Sequence, residues 1–460
     1  MKKLCLLLIA LLITLTAFAA CDKEDTPVDA ATTDGETTTA AATTATEPDA
    51  TAPETTAPET ESVETEPETE PAAPAKSLEF TPNGDGSCYV SGMGTYTDSK
   101  LVIPATSPEG WRVTEIGNHA FYECTNVTSI VIPDSVTVIR GYAFAGCTGL
   151  ESVEIPDNVK TVEYFAFSDC TGLTDVTFGS GVESIGRAAL LGCTALTEIK
   201  VDEANTVYRS RENCLVEVES KTLVVGCKSS KIPADGSVTS IEKWAFRDCI
   251  GLESVVIPQC VTSIDNEAFR GCSALASIEV EAGNAVYHSA GNCLIETASK
   301  TLFAGCKSSV IPTDGSVTTI GDNAFYDCTS LLDIVIPEGI TSIGYRAFYG
   351  CTGLTSIETP VGVTTIADGA FYGCSSAVTV ILGQGVTSIG RYSFSDCSAL
   401  KSIVIPNTMK TIGDGAIRCC PELRNVYYTG TPEEWATVTA VHDKDDLVNA
   451  TLHCNYVPEA

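Results

Sequence analysis

Residues 143–156 read Ala143-Phe144-Ala-Gly-Cys147-Thr-Gly-Leu150-Glu-Ser-Val153-Glu-Ile155-Pro156. Residues 347–360 repeat almost the same words, Ala347-Phe348-Tyr-Gly-Cys351-Thr-Gly-Leu354-Thr-Ser-Ile357-Glu-Thr-Pro360. The key aromatic recurs at Phe121, Phe144, Phe167, Phe246, Phe269, Phe325, Phe348, Phe371 and Phe394, with Leu190 and Ile417 in the same slot. Each is followed three positions on by a cysteine, from Cys124 to Cys420. The step is 23 residues except for two steps of 56. A fixed period in this range marks stacked units, each of which buries its apolar face only against its neighbours. The expected fold is a repeat solenoid, β-rich, with 23-residue rungs over residues 105–425.

Within one rung, Leu150-Glu-Ser-Val153-Glu-Ile155 ends in period two, as a strand with one buried face does. Pro156 stops it, because proline cannot donate to a ladder. A second short β piece follows, as in Val386-Thr-Ser-Ile389, and then a tight turn that carries Ala-Phe-x-x-Cys. The rung cysteines are read as packing. Equivalent atoms of stacked strands lie ~4.8 Å apart with parallel side chains, whereas disulfides and zinc sites need converging ones.

The rung words, as at Ile320-Gly321-Asp-Asn-Ala324-Phe325-Tyr-Asp-Cys328-Thr-Ser-Leu331-Leu-Asp-Ile334-Val-Ile336-Pro337, resemble the BspA-like leucine-rich repeat family over about residues 100–428. The resemblance implies a solenoid with a parallel sheet along one side. It also implies a bacterial surface protein, since members of the family are typically displayed there and some are adhesins. The family offers no shared catalytic residues to carry over.

Each 56-residue step holds a near-duplicate insert, at about residues 203–231 and 282–310. Two short apolar runs around a polar centre predict a β-hairpin leaving the solenoid, plus one rung without its Ala-Phe-x-x-Cys turn. Cys214 with Cys227, and Cys293 with Cys306, stand near the hairpin bases. Two readings remain open for them: a disulfide closing each hairpin of an exported protein, or buried free thiols.

Residues 1–20 carry Lys2 and Lys3, an apolar run from Leu4 to Leu15, and a small-residue end, the pattern of a signal peptide. Cys21 follows directly and resembles a bacterial lipobox cysteine, which implies lipidation there; plain secretion is the alternative. Residues 21–76 form an acidic Thr/Ala/Glu/Pro tether, with fifteen acids and Lys23 as the one base in 22–75. Such a stretch cannot bury a core. Residues 77–104 read as an N-terminal cap with a turn at Asn83-Gly-Asp-Gly86. Residues 426–460 read as a C-terminal cap, with a short helix started at Thr431-Pro432 and Trp435 covering the apolar end.

The net charge of −33 argues against nucleic acid and anionic membrane surfaces as partners. Membrane contact is expected only through the N-terminal lipid. The four histidines, His119, His288, His442 and His453, are scattered without metal-site spacing, so neither a cofactor nor a metal is expected. The chain is read as a non-enzyme. The outward strand positions are Val131, Glu154, Thr177, Lys200, Val256, Glu279, Val335, Glu358, Ile381 and Val404. They form the candidate binding face, for a protein of a host or neighbouring cell; the inserts are a second candidate. No aromatic row lies on this face, with Tyr427 the one ring there, so a carbohydrate partner is not favoured. The alternatives are an envelope spacer without a dedicated ligand and a thiol-dependent enzyme.

Overall fold

The computed structural model describes residues 77–440 and 445–458. The expected signal peptide, Cys21 and the tether lie outside the described residues. From residue 77 the chain winds as a β-solenoid held by three ladders. The first is built of rung strands such as Ser152–Ile155, which pairs in parallel with Asp175–Phe178, Ile155 opposite Phe178. Val153 and Ile155 are buried while Ser152 and Glu154 are exposed, as the period-two pattern demands. The second is built of two-residue strands such as Thr161–Val162, parallel to Ser184–Ile185. The third runs through the turns, where the Phe144 N–H donates to Ala166 C=O and the Phe167 N–H to Ala189 C=O, both at 2.8 Å.

The residue two before most of the key aromatics has a left-handed backbone, with φ of 56° at Tyr142, 54° at Phe165 and 68° at Trp244; Glu267, before Phe269, does not. That conformation costs a non-glycine residue roughly 1–2 kcal/mol. Inter-rung bonds such as the Phe165 N–H to Arg187 C=O, 3.2 Å, offset it.

The repeated Phe and Cys are packing and hydrogen-bonding groups at once. Phe325, Phe348, Phe371 and Phe394 stack face to face with centroids 4.9–5.3 Å apart. Burying each such ring contributes roughly 1.5–3 kcal/mol. Each ordinary cysteine donates to the carbonyl of the key aromatic one rung back: Cys147 Sγ to Phe121 O at 3.1 Å, Cys170 Sγ to Phe144 O at 3.2 Å, Cys351 Sγ to Phe325 O at 3.1 Å. Burial pushes Cys147 and Cys351 well above their usual range, and the hydrogen bond with Cys193, together with burial, does the same to Cys170. Thiolate chemistry is suppressed accordingly.

At its two ends the chain departs from the repeat. Glu79–Pro82 and Ser87–Gly92 form an antiparallel hairpin, and the second strand opens the short-strand ladder by pairing with Arg112–Ile116. At its turn the Asp85 carboxylate accepts from the Ser87 N–H (2.9 Å) and hydroxyl (2.6 Å). At the other end Pro432–Trp435 is helical, with a capping box between Thr431 and Glu434. The Trp435 ring lies 5.0 Å from Tyr428, and Thr451–His453 adds a closing strand to Asn425–Tyr428.

The inserts depart from expectation, because they do not leave the stack. Tyr208–Arg211, Cys214–Glu217 and Thr222–Val225 form an antiparallel meander whose last strand continues the short-strand ladder in parallel with Ser240–Ile241. Two reversals restore the chain direction, so the meander thickens the ladder instead of projecting from it. Its inner residues Cys214, Leu215 and Val216 are buried. Too much apolar surface sits on the short strands for a free hairpin, and the ladder covers it. The next rung is short: Leu223 pairs with Ile241, 18 residues on, where an ordinary rung takes 23. Tyr287–Ala290, Cys293–Glu296 and Thr301–Ala304 repeat this arrangement.

The four insert cysteines are free thiols in the structure, not disulfides. With the meander folded inward, each finds a main-chain acceptor, as Cys214 Sγ does at Lys231 O (3.3 Å) and Cys293 Sγ at Gly291 O (3.5 Å). Burial pushes Cys214 and Cys293 up to about 12, which starves disulfide exchange of thiolate. One further difference concerns residues 332–336. They spell a rung strand, yet they adopt none, and nothing in the structure explains the gap.

Candidate binding surfaces

The strand face is largely as the register places it. Val131, Glu154, Lys200, Val256, Glu279, Val335 and Glu358 are exposed, and Thr177 and Ile381 are half-buried. Val335 stands on the unpaired segment and is 75% exposed. Val404 is the exception, at 5% exposure. It lies in register between Ile381 and Tyr427. The Tyr427 ring is itself packed against His453 and Tyr456 at 4.8 and 4.6 Å. The C-terminal cap therefore closes this end of the face, and Val404 is lost to it. Lys200 is paired with Glu198 at 2.7 Å, an exposed pair of small energetic weight.

The turn ridge is chemically richer. The left-handed turn positions carry His119, Tyr142 and Phe165, stacked at 4.9 and 5.0 Å. The positions after the key aromatics carry Tyr326, Tyr349 and Tyr372, stacked at 4.6 and 4.7 Å. Tyr122, Tyr164 and Tyr345 are exposed beside these rows, and the Arg346 guanidinium lies 4.9 Å from the Tyr345 ring.

Where each insert shortens a rung, the ridge has a notch. Gly226 takes the aromatic's slot in the first short rung, and a Cβ there would collide with the ring of Phe246. Gly305 does the same against Phe325. The first notch, about 480 Å³ including its open mouth, is lined by Arg187, Leu191, Glu242, Lys243, Trp244 and Arg247 among others. Trp244 leans across it to within 6.3 Å of Phe165. Arg187, Lys243 and Arg247 surround its ring at 5.1–5.8 Å.

The second notch is narrower, about 320 Å³ on the same terms, and its own side chains cross it. Arg270 lies 3.7 Å from the Tyr326 centroid, and the Gly271 N–H donates to Tyr326 C=O at 3.3 Å across the gap. Glu267 stands between the notches. It accepts from Trp244 Nε1 at 2.8 Å and pairs with Lys243 at 2.7 Å and Arg270 at 3.2 Å. Burial alone would raise its carboxyl, but these donors outweigh that and hold it down to about 2. Among the described residues no group of three or more His, Cys, Asp or Glu side chains converges on a metal site. No described helix is long and apolar enough to cross a membrane.

The family model for the BspA type leucine rich repeat region matches residues 114–233, 222–331 and 318–437. The chain belongs to the BspA-type leucine-rich repeat family. A leucine rich cell surface protein of Faecalibacterium prausnitzii shares 27% identity and a TM-score of 0.53, over 79% of this chain and 96% of that one. A leucine-rich repeat protein of Eubacterium ventriosum shares 22% identity at a TM-score of 0.47, over 75% and 81% of the two chains. The pneumococcal vaccine antigen PcpA shares 18% at 0.46, over 82% and 91%. No curated protein matches the chain.

Within this BspA-type stack, the residues that seat the inserts escaped the sequence reading. Asn205, fully buried, donates to the carbonyls of Gly179 and Val182 and accepts from the N–H groups of Val207 and Tyr208, all at 2.9–3.0 Å. Asn284 repeats all four bonds on Pro258, Val261, Val286 and Tyr287. The Tyr208 hydroxyl then accepts the Ile185 N–H, and the Tyr287 hydroxyl the Ile264 N–H, capping the ordinary ladder where the meander begins. A signal existed: Asn205-Thr-Val-Tyr208 recurs as Asn284-Ala-Val-Tyr287, at the same 79-residue offset as the inserts.

Proposed function

We propose that this protein is a surface-displayed binding scaffold that engages a protein of a host or neighbouring cell. The tether of residues 21–76 and a lipid on Cys21 would hold it at the membrane. One observation carries the reading: the ridge concentrates exposed and half-buried Tyr, Trp and Arg on a rigid stack, as at Tyr122, Tyr164, Trp244, Tyr345 and Arg346. These residue types dominate protein-binding hot spots, and Tyr and Trp lose little conformational freedom on binding. The F. prausnitzii relative is described as a cell surface protein, which supports display. The open strand face, from Val131 to Ile381, is the second contact surface of the proposal.

The test is capture of cell-surface proteins by the full chain, followed by affinity measurement on what is captured. The double change Tyr345→Ala with Arg346→Ala should weaken binding at least about tenfold, the loss of one hot spot. Substituting Glu154 and Glu358 on the strand face should change it less. Recovery of no saturable partner would leave the chain a spacer and sink the proposal.

A further inference from the structure

Each insert also interrupts the long-strand ladder, and the first interruption leaves an open strand edge. Ser254–Ile257 pairs in parallel with Ser277–Val280 and with no other strand. The Glu253 C=O accepts the Ala276 N–H at 2.8 Å and the Ile257 C=O the Glu281 N–H at 2.9 Å, so both face the next rung. By alternation the N–H and C=O groups of Ser254 and Val256 face the other way, toward the short rung at Lys231-Ile232-Pro233. Among the described residues no main-chain hydrogen bond joins that short rung to the strand. Elsewhere the chain covers such edges itself. The Ser210 hydroxyl donates to Ile199 C=O on the near side of the insert. At the N-terminal end the Tyr96 hydroxyl donates to Lys100 C=O at 2.6 Å. The uncovered edge opens on a groove of about 1140 Å³ including its mouth, of which water can reach about 550 Å³. An unpaired edge of this kind is a template for another strand.

The walls of the groove differ in sign. Lys228 and Lys231 stand on the short-rung wall, and neither pairs with a described carboxylate; Lys228 Nζ donates to Thr194 C=O at 3.4 Å. Glu253 and Glu281 line the strand wall, where Glu281 already accepts the Gln259 N–H at 3.0 Å. Lys231 and Val256 hold the same outward position of their rungs, each just before an Ile-Pro pair, and Val256 is 46% exposed. A strand laid between them would rest an acidic side chain with its stem on Val256 and its carboxylate at Lys231. The second insert lacks these features: Val310 stands for Lys231, and residues 332–336 form no strand edge. We propose that the first gap takes up an extended acidic segment of a partner protein as an added strand, its main chain on Ser254 and Val256 and its carboxylates on Lys228 and Lys231. Main-chain bonds supply the affinity and the lysines select the charge. The inference deepens the binding-scaffold reading, on which it rests, by giving the strand face a defined contact.

The experiment is fluorescence anisotropy of two labelled, end-capped hexapeptides, Glu-Val-Glu-Val-Glu-Val and Lys-Val-Lys-Val-Lys-Val, titrated with the full chain. The acidic peptide should saturate and the basic one should not. Val256→Pro removes an N–H that meets no acceptor in the fold, and proline is tolerated at a strand edge. Its melting transition should be retained while acidic-peptide binding weakens about tenfold. Lys231→Glu, at an exposed side chain, should weaken binding at least as much and decides the matter if Val256→Pro does not fold. No saturation by the acidic peptide, equal affinity for both peptides, or wild-type affinity in a folded variant overturns the proposal. The ridge change Tyr345→Ala with Arg346→Ala should leave peptide binding untouched. Capture of a surface partner without peptide binding therefore sinks this site and not the scaffold.

Discussion

The two inserts lie 79 residues apart and share a backbone plan, yet they end in different surfaces. Both keep the asparagine that makes four hydrogen bonds, the capping tyrosine and the glycine under the next ring. They differ in the side chains over the notch, with Leu191, Trp244 and Arg247 against Arg270, Asn323 and Tyr326. The shared residues serve backbone geometry, for which the chain offers few substitutes. The differing ones line a cavity, which a solenoid tolerates either wider or narrower. Duplication thus separates what the fold requires from what the site is free to become.

The largest effects should come from breaking the shared part. Asn205→Ala leaves two carbonyls and two N–H groups unpaired in a fully buried corner and should cost roughly 2–4 kcal/mol. Asn284→Ala should cost less, because Asn284 is only half-buried and water can reach its partners. Urea unfolding of the two variants checks the order; equal losses would mean that the corners are energetically alike. Next, Gly226→Ala and Gly305→Ala each drive a methyl into a buried phenylalanine ring. Both should lose roughly 1–3 kcal/mol, by nearly the same amount. Deleting either insert outright is not a clean probe of binding, since its strands are part of the core.

The rungs were legible because one physical rule, burial every 23 residues, writes itself on the sequence eleven times. The strand register and the buried Phe and Cys columns follow from it. The inserts were half legible. Their apolar runs announced strands, but whether those strands project or stack depends on the ladder edge that Tyr208 caps, a contact between residues 23 apart. The notches were not legible at all. Trp244 and Phe165 are 79 positions apart, with a full rung and an insert between them, and they meet only because the short rung draws the ridge together. Val404 failed for a similar reason, since alternation places a residue on a face but does not say what the chain end lays beside it.

Breaking the differing part should have smaller, more local effects. Arg270→Met removes the cation from Tyr326 and one donor from Glu267. A desolvated cation–π contact is worth about 2 kcal/mol, part of which the methionine restores by packing on the ring. A loss near 1 kcal/mol in urea is therefore expected, together with hydrogen exchange rising at the Gly271 amide that bridges the gap. Unchanged exchange there would show that the main-chain bond, not the Arg270–Tyr326 clasp, narrows the notch.

A pH-dependent effect joins the two regions through Glu267. Its carboxyl is held at about 2 in the fold against an ordinary 4.5. Above pH 4.5 it is ionised in both the folded and unfolded states, and its contribution is complete. As pH falls from 4.5 towards 2, the unfolded chain takes up the proton first, so stability drains across that window and is gone below it. Other carboxyls held low, such as Asp157 and Asp235 beside their serine partners, drain in the same direction, so only a difference is diagnostic. Glu267→Gln should lower stability at neutral pH and flatten its fall between pH 4.5 and 2 relative to the wild type. Because Lys243 and Trp244 approach from one notch and Arg270 from the other, repeating the titration in Arg270→Met should shift Glu267 only part of the way back. A full return to 4.5 would mean that the clasp alone holds the carboxylate, and that the wider notch leans on the narrower one.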